Sequence, residues 1–483
     1  MKTRKTVLGI IIAAAFAVGF MACSQVMSPE EGSVTVQLPG SAGGRAYTEA
    51  EKSTFTYTVT LTGPGGRTSK AEAAAGRTVT IGGLAAGLWT VEVRALNIDM
   101  IPLAYGSDTV TVTAGNSRAL VKMGDIIYSL SQLKGAISDA KSGDTLYIGN
   151  DIEIDVPLEI LKNLTFSSLG DYTLSRGSAH SNELFQIGSN TVTFKAEGAN
   201  TLTLDGTNPN PGTQKPLITV NPAGVLILDK GSVLQNNENR GSINNGGAVF
   251  CKDGTVVVSG GIIRDNRDLT KGMGGGLYLV NSDFTMTAGE IYGNTASNGG
   301  SGSGGGICIE NNTSAGAVRT VTVSGGSIYN NETSGGGGGL YYLGNSVGSS
   351  ENKMILSGGL IYGNFASTGQ GGGLCIVNAD FTMSGGAVYR NEALLGGGVF
   401  AQNGDIFTMA GGHICSNEAL AVSSAGGGLY IDNFTNAITT GARNAEIKQN
   451  ISDNVEKSAT GGDFSGIAIG GVNGENDICS MHY

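Results

Sequence analysis

The chain has 483 residues, a formal net charge of −11, and 80 glycines against 9 prolines. Charged residues make up 14% and form no basic stripe, which argues against a nucleic-acid partner. The glycines follow no Gly-X-Y period, so collagen is excluded; they cluster at fixed places, as turn residues do.

Taken in chain order, residues 1–23 read as an export signal. Lys2, Arg4 and Lys5 precede an apolar run from Val7 to Met21 that is short for a membrane span. The run ends Phe20-Met21-Ala22-Cys23-Ser24. This stretch resembles a bacterial lipobox, with Phe20 where Leu is usual. The resemblance implies acylation of Cys23 and a lipid anchor on the outer membrane or cell surface. The competing reading is a cleaved signal peptide with an incidental cysteine.

Residues 24–32 read as a tether, and 33–123 as a small all-β domain. Strands are expected at 33–38, 54–62, 77–81, 88–95, 109–113 and 118–123. In the fourth, Trp89, Val91, Val93 and Ala95 alternate with Thr90, Glu92 and Arg94, the period of a half-buried strand. The short strands suggest a β-sandwich of immunoglobulin-like or transthyretin-like type, with Trp89 in its core. Residues 129–143 predict an amphipathic helix, with Leu130, Leu133, Ile137 and Ala140 on one face. It would cap a stacked sheet occupying the rest of 124–483.

That stack is announced by a repeated phrase: Gly-Gly-Gly, a short apolar strand, a polar turn, a second strand, Gly-Gly, then apolar-x-x-Asn. Copies run over 274–294 and 371–391. The closing Asn266, Asn294, Asn331, Asn364, Asn391 and Asn417 are 28, 37, 33, 27 and 26 residues apart, with an earlier close at Asn236 and a looser one at Asn450. Three short strands per copy return the chain about one strand spacing higher, so coils pair in parallel at ~4.8 Å. The expected fold is all-β, a right-handed parallel β-helix of about 12 coils, estimated from the repeat length. In Leu277-Tyr278-Leu279 the leucines point inward; in Phe284-Thr285-Met286 the first and last do. Glycine serves tight turns and close approach, and the closing Asn serves a stacked amide ladder.

Gly246-Gly247-Ala248-Val249 and Ile291-Tyr292-Gly293-Asn294, with their later copies, resemble the repeat of the polymorphic outer membrane proteins. The resemblance covers about 217–450. It implies a right-handed parallel β-helix, surface display and adhesion. Two features depart from that family: Ile- or Val-x-x-Asn replaces Phe-x-x-Asn, and the sequence to Tyr483 carries no membrane barrel. The lipobox would replace that anchor.

Candidate chemistry is sparse. His180, His413 and His482 lie in no metal spacing and beside no nucleophile motif, so no cofactor, metal or catalytic residue is assigned. Asp283, Asp380 and Asp405 occupy matching turns, where turn capping is favoured over calcium binding. Arg264, Asp265, Arg267 and Asp268 read as a solvated turn. Two aromatic rows are expected to face outward: Tyr292, Tyr329, Tyr362 and Tyr389, and Tyr278, Tyr341 and Tyr430 with Phe400. They either stack between coils or contact a glycan or protein ligand. Cys251, Cys308, Cys375, Cys415 and Cys479 are expected to be mostly free thiols, with any pairing of Cys479 open. The functional expectation is a non-enzymatic, adhesin-like surface lipoprotein, bound to the membrane by its anchor and to a glycan or a protein of a host or neighbouring cell. The alternative is a polysaccharide lyase or glycosidase working on the outer face.

Overall fold

The computed structural model describes residues 31–38, 53–208, 214–240, 246–298, 302–311, 319–345, 352–404, 406–421 and 426–432, plus the backbone of a few short strands beyond. The export signal with Cys23, most of the tether, Asp405, Asn450, Cys479 and the tail from Ser452 lie outside the described side chains.

The N-terminal strands form two sheets over one core. Thr78–Ala85, Glu31–Gln37 and Gly115–Ala119 make the first. Thr68–Ala74, Thr56–Thr62, Gly87–Leu96 and Pro102–Val112 pair antiparallel in the second. Val34 and Val36 of one meet Tyr57, Val59, Leu61, Val91 and Val93 of the other. Trp89 is buried there, and its indole N–H donates to Ala85 O at 2.9 Å. The strand Thr68–Ala74 was not expected from sequence. Its TSKAEAA composition favours helix, but pairing along the whole of Thr56–Thr62 overrides that preference.

The second sheet does not stop at the domain edge expected at residue 123. Pro102–Val112 pairs with Gly124–Ile127, which pairs in parallel with Asp144–Ile148. Tyr105 and Tyr147 meet edge to face across this seam, with ring centroids 4.9 Å apart. Backbone hydrogen bonding is therefore continuous from the small domain into the stack.

The helix spans Leu130–Asp139, shorter than the expected 129–143. Ser129 Oγ accepts from Gln132 N at 3.3 Å, satisfying one of the free amides of the first turn. Leu133 is fully buried, and Leu130 and Ile137 pack on the same core as Leu146 and Ile148.

From Asp144 the chain is a parallel β-helix. One face is an 11-stranded parallel sheet that includes Leu277–Val280, Ile307–Glu310, Leu340–Leu343 and Leu374–Val377. A second sheet holds strands such as Asp283–Tyr292, whose pairing register shifts in the middle at Ala288-Gly289. A third is a 7-stranded sheet of short strands, including Thr295–Ala296. Leu277, Leu279, Phe284 and Met286 all point into the core, as their alternation requires.

Two devices hold the coils in register. The first is the glycine triplet. Gly337 has φ +70°, a left-handed turn, while Gly338 and Gly339 lie against the backbone of the next coil. The second is the asparagine ladder. Each closing Asn is buried, and its backbone N–H donates to the Oδ1 of the Asn one coil on, at 3.0–3.1 Å from Asn237 to Asn417. The ladder residue of the early coil is Asn237, which corrects the expected Asn236. The left-handed conformation belongs to the residue before each ladder Asn: Asn236 (φ 57°), Asp265 (56°), Asn330 (51°), Arg390 (52°). The ladder amides are thus freed from turning the chain and kept for hydrogen bonding.

Cys251, Cys308 and Cys375 are free and buried, as expected; Cys415, by contrast, is disulfide-bonded. Cys308 and Cys375 flank Tyr341 in one column. Burial pushes the Cys251 thiol up to about 11, so it stays protonated at neutral pH. Native protein should therefore resist iodoacetamide at these three thiols at pH 8, and denatured protein should alkylate them within minutes, as read by peptide mass spectrometry. Rapid native labelling would show that the coils open there.

Candidate functional site

The corner between the sheet of Asp283–Tyr292 and the short-strand sheet carries the first aromatic row. Each ring sits at the strand end, two residues before a ladder Asn, so parallel pairing brings successive rings into line. Tyr292, Tyr329, Tyr362 and Tyr389 stack with centroids 4.7, 4.8 and 4.9 Å apart and interplanar angles of 13°, 0° and 8°. The column continues below the rings. Arg264 Nη1 donates to the Tyr292 hydroxyl (3.4 Å), Arg264 Nη2 to Gln235 Oε1 (2.6 Å), and Gln235 Nε2 to Asp205 Oδ2 (2.7 Å). Tyr329 donates to Glu290 Oε2 at 3.0 Å; burial and that carboxylate raise its pKa above the ordinary tyrosine value.

This geometry limits what the row can bind. Coplanar rings less than 5 Å apart cover one another's faces, leaving only edges and hydroxyls to solvent. Tyr389 is itself only 2% exposed. In the second row Tyr278 faces away from the solenoid core yet is 7% exposed, and its hydroxyl is committed to Glu310 Oε2 at 2.7 Å. Both rings are therefore covered, and neither offers a free face to a ligand. Tyr341 and Tyr430 are half-buried; Tyr430 stacks on the buried Phe400 at 5.2 Å. The Tyr278 ring lies 5.8 Å from that of Phe250 on the preceding coil, a contact that strand alternation alone does not give.

The two described turn aspartates do cap backbone, but the backbone of the next coil. Asp283 Oδ1 accepts from Thr320 N (3.0 Å), and Asp380 Oδ1 from Ile406 N (2.8 Å). Asp151, Asn163 and Asp171 serve Thr173, Thr191 and Thr201 in the same way. Arg319 also lies 3.3 Å from Asp283. Among the described residues, no group of three or more His, Cys, Asp or Glu is arranged to hold a metal.

Sequence reading missed a buried polar cluster under the early coils. Arg176 is 3% exposed. Its Nη2 donates to Lys215 O (3.1 Å), Pro216 O (3.3 Å) and Asn237 Oδ1 (3.1 Å), and its Nη1 to Asn182 O. Burial lowers it to about 10, so it remains charged at neutral pH. Arg176 thereby supplies the donor to Asn237 Oδ1 that an earlier ladder Asn would otherwise give. Beside it, burial lowers the His180 pKa, and the His180 Nε2 lies 3.0 Å from Glu183 O. Burial opposes the Glu183 carboxylate, but its own backbone amide, Gln186 and Lys215 hold it below the ordinary value. No motif spacing marks this group; only the fold assembles it.

One pair of carboxylates aligns on the outer surface. The short-strand sheet stacks Glu332, Phe365, Glu392 and Glu418 in one column, with Glu392 and Glu418 directly paired. Parallel pairing puts their backbones about 4.8 Å apart.

No protein-family model matches the chain, and no curated protein matches it. Among solved structures, the family 28 exopolygalacturonase of Yersinia enterocolitica is similar over 83% of this chain and 86% of that one, at 9% identity and a TM-score of 0.30. At that distance no side chain of the enzyme is carried across.

Proposed function

We propose that this chain is an exported lipoprotein, acylated at Cys23, whose β-helix serves as a surface-displayed binding or structural element rather than an enzyme. In full, the reading is a β-sandwich spacer of immunoglobulin-like or transthyretin-like type, then about 12 right-handed coils capped by the helix, presenting a glycan or protein ligand site. The observation that carries it is the use of the recurring residues. Asparagine amides, glycine turns, stacked tyrosines and coil-capping aspartates are each committed to holding one coil to the next. A repeat spent on stiffness suits a rod. Ligand contact would then fall to ring edges at Tyr292, Tyr329 and Tyr362, to Tyr341 and Tyr430, and to the loops.

The second reading, a glycosidase on the outer face, is favoured by the Glu392–Glu418 pairing, because retaining glycosidases hold two carboxyls about 5–5.5 Å apart. One experiment separates the two. The full chain is expressed on cells with palmitate labelling, and then exposed to external protease, a glycan array and a polysaccharide panel. Display predicts label lost in Cys23→Ser, protease access and ligand capture without reducing-sugar release. Reducing-sugar release that vanishes in Glu392→Gln would overturn display in favour of hydrolysis.

A further inference from the structure

We propose that the open edge of the strand Thr68–Ala74 docks a second copy of this chain, the two strands pairing antiparallel about Ala71. The inference goes beyond the proposed function and does not depend on it.

The strand is the outer end of a sheet. That sheet runs inward through Thr56–Thr62, Gly87–Leu96, Pro102–Val112 and Gly124–Ile127 to the solenoid. Among the described residues Thr68–Ala74 pairs with Thr56–Thr62 alone. Gly63 N donates to Arg67 O at 2.8 Å, which sets the alternation of the ladder. Counting by twos from Arg67, Ser69, Ala71 and Ala73 turn their backbone groups toward Thr56–Thr62. Thr68, Lys70, Glu72 and Ala74 therefore turn theirs to the open edge, and all four are exposed.

An open edge is a template for another strand, and folds commonly blunt it with proline, a bulge or an isolated charge. The edge strand of the other sheet, Thr78–Ala85, is blunted in this way. Its register with Glu31–Gln37 slips between Ile81 and Leu84, where Gly83 has φ +70°. Thr68–Ala74 has no proline, and its register with Thr56–Thr62 is unbroken along its whole length. Its lysine is not isolated, because Glu72 follows on the same face. Thr60 and Thr58 stand opposite Lys70 and Glu72 on the next strand. Among the described residues neither charge has an ion-pair partner.

Those two charges select the partner and the register. Edge-facing groups pair only with edge-facing groups, so even positions meet even positions. Centred on Ala71, Lys70 meets the partner's Glu72, and Glu72 meets the partner's Lys70. Centred on Lys70 or on Glu72, like charges stand directly opposite, which is destabilising. The register about Ala71 is also the one that uses the whole strand. On the inner face Ala71 and Ala73 pack against the sandwich core and are half-exposed, so a second strand would extend their cover. A single strand pair is small beside the roughly 1,200 Å² of standard interfaces, so association in the micromolar range is expected.

The test is sedimentation velocity of the full chain carrying Cys23→Ser, so that no acyl chain drives association. A concentration-dependent dimer is expected. Lys70→Glu and Glu72→Lys should each weaken it at least tenfold, by setting like charges opposite. Lys70→Glu/Glu72→Lys should restore it, and so should an equal mixture of the two single variants. Both positions are exposed, so an unchanged circular dichroism melt checks folding. Under oxidation Ala71→Cys should bridge two copies at position 71, read by peptide mass spectrometry, because opposed residues of a non-hydrogen-bonded pair lie about 4.5 Å apart at Cα. Ala73→Cys should not bridge, since it would face the partner's Ser69. A native chain monomeric at its highest soluble concentration, single variants that dimerise like native, or bridging at 73 without 71 would each overturn the proposal. A dimer lost in the single variants and recovered in neither the double variant nor the mixture would overturn the register.

Discussion

Gly338→Ala is expected to open the solenoid locally, at a cost above about 3 kcal/mol. A Cβ there would lie 2.4 Å from Gly372 O, 2.6 Å from Phe365 N and 2.8 Å from Phe365 C. All three are backbone atoms of the next coil, so no rotamer change relieves the contact. The neighbours cannot retreat either, because Gly338 N and Gly339 N donate to Gly371 O and Gly372 O at 3.1 and 3.0 Å across that same gap. Hydrogen exchange should show protection lost in the coils around 338 and 372, and retained near Phe166 and Phe194, since a solenoid's stability is largely a sum of neighbour interfaces. The control is Gly135→Ala on the helix. Nothing lies within 4 Å of its Cβ, and the helical backbone suits alanine. It should stabilise by about 0.5–1 kcal/mol. Equal effects at the two sites would refute the close-packing account.

The second large effect is expected at Asn331, in the middle of the ladder. Its Nδ2 donates to Ile291 O (2.9 Å) and Asn364 Oδ1 (3.0 Å), and its Oδ1 accepts from Asn294 N (3.1 Å) and Nδ2 (3.0 Å). Asn331→Leu keeps the branched shape but leaves these groups unpaired in a site that is 1% exposed. At about 1–3 kcal/mol for each stranded group, the loss should reach about 3–5 kcal/mol. Asn331→Asp separates shape from donors. The carboxylate would face Asn364 Oδ1 and Ile291 O, both acceptors, so its folded pKa should rise and the neutral acid should be preferred. That contribution is present in full below the unfolded value of about 3.9 and is lost as pH rises through the raised folded value. Denaturation at pH 4 and pH 7 should therefore show Asn331→Asp closer to native at the acid end. A variant equally unstable at both would mean the ladder acts through packing alone.

Most of the fold was legible because its signals are local and periodic. Leu277 and Leu279, or Phe284 and Met286, declare an inward face by alternation. The Gly-Gly-Gly and x-x-Asn spacings declare a coil, since each coil must turn at the same place for its neighbour to pair. What was misread depended on groups distant in sequence. Asn236 and Asn237 cannot be told apart by spacing, and only the φ of 57° at Asn236 shows which one turns and which one stacks. Tyr278 alternates outward but is covered. The strand Thr68–Ala74 was hidden by helix-favouring residues.

The candidate sites divide in the same way. Sequence alone determined the repeat, the inward faces, the aligned tyrosines and the buried thiols, because each follows from period and residue type. Tertiary structure alone decided that the tyrosine faces are spent on one another, that Asp283 and Asp380 cap the next coil, and that Arg176 ends the asparagine ladder from 61 residues away. It also decided that Glu392 meets Glu418. Coil lengths that vary from 26 to 37 residues erase such pairings from the linear chain. The hydrogen-bond register between coils restores them, because parallel strands place residues side by side whatever the length of the loop between.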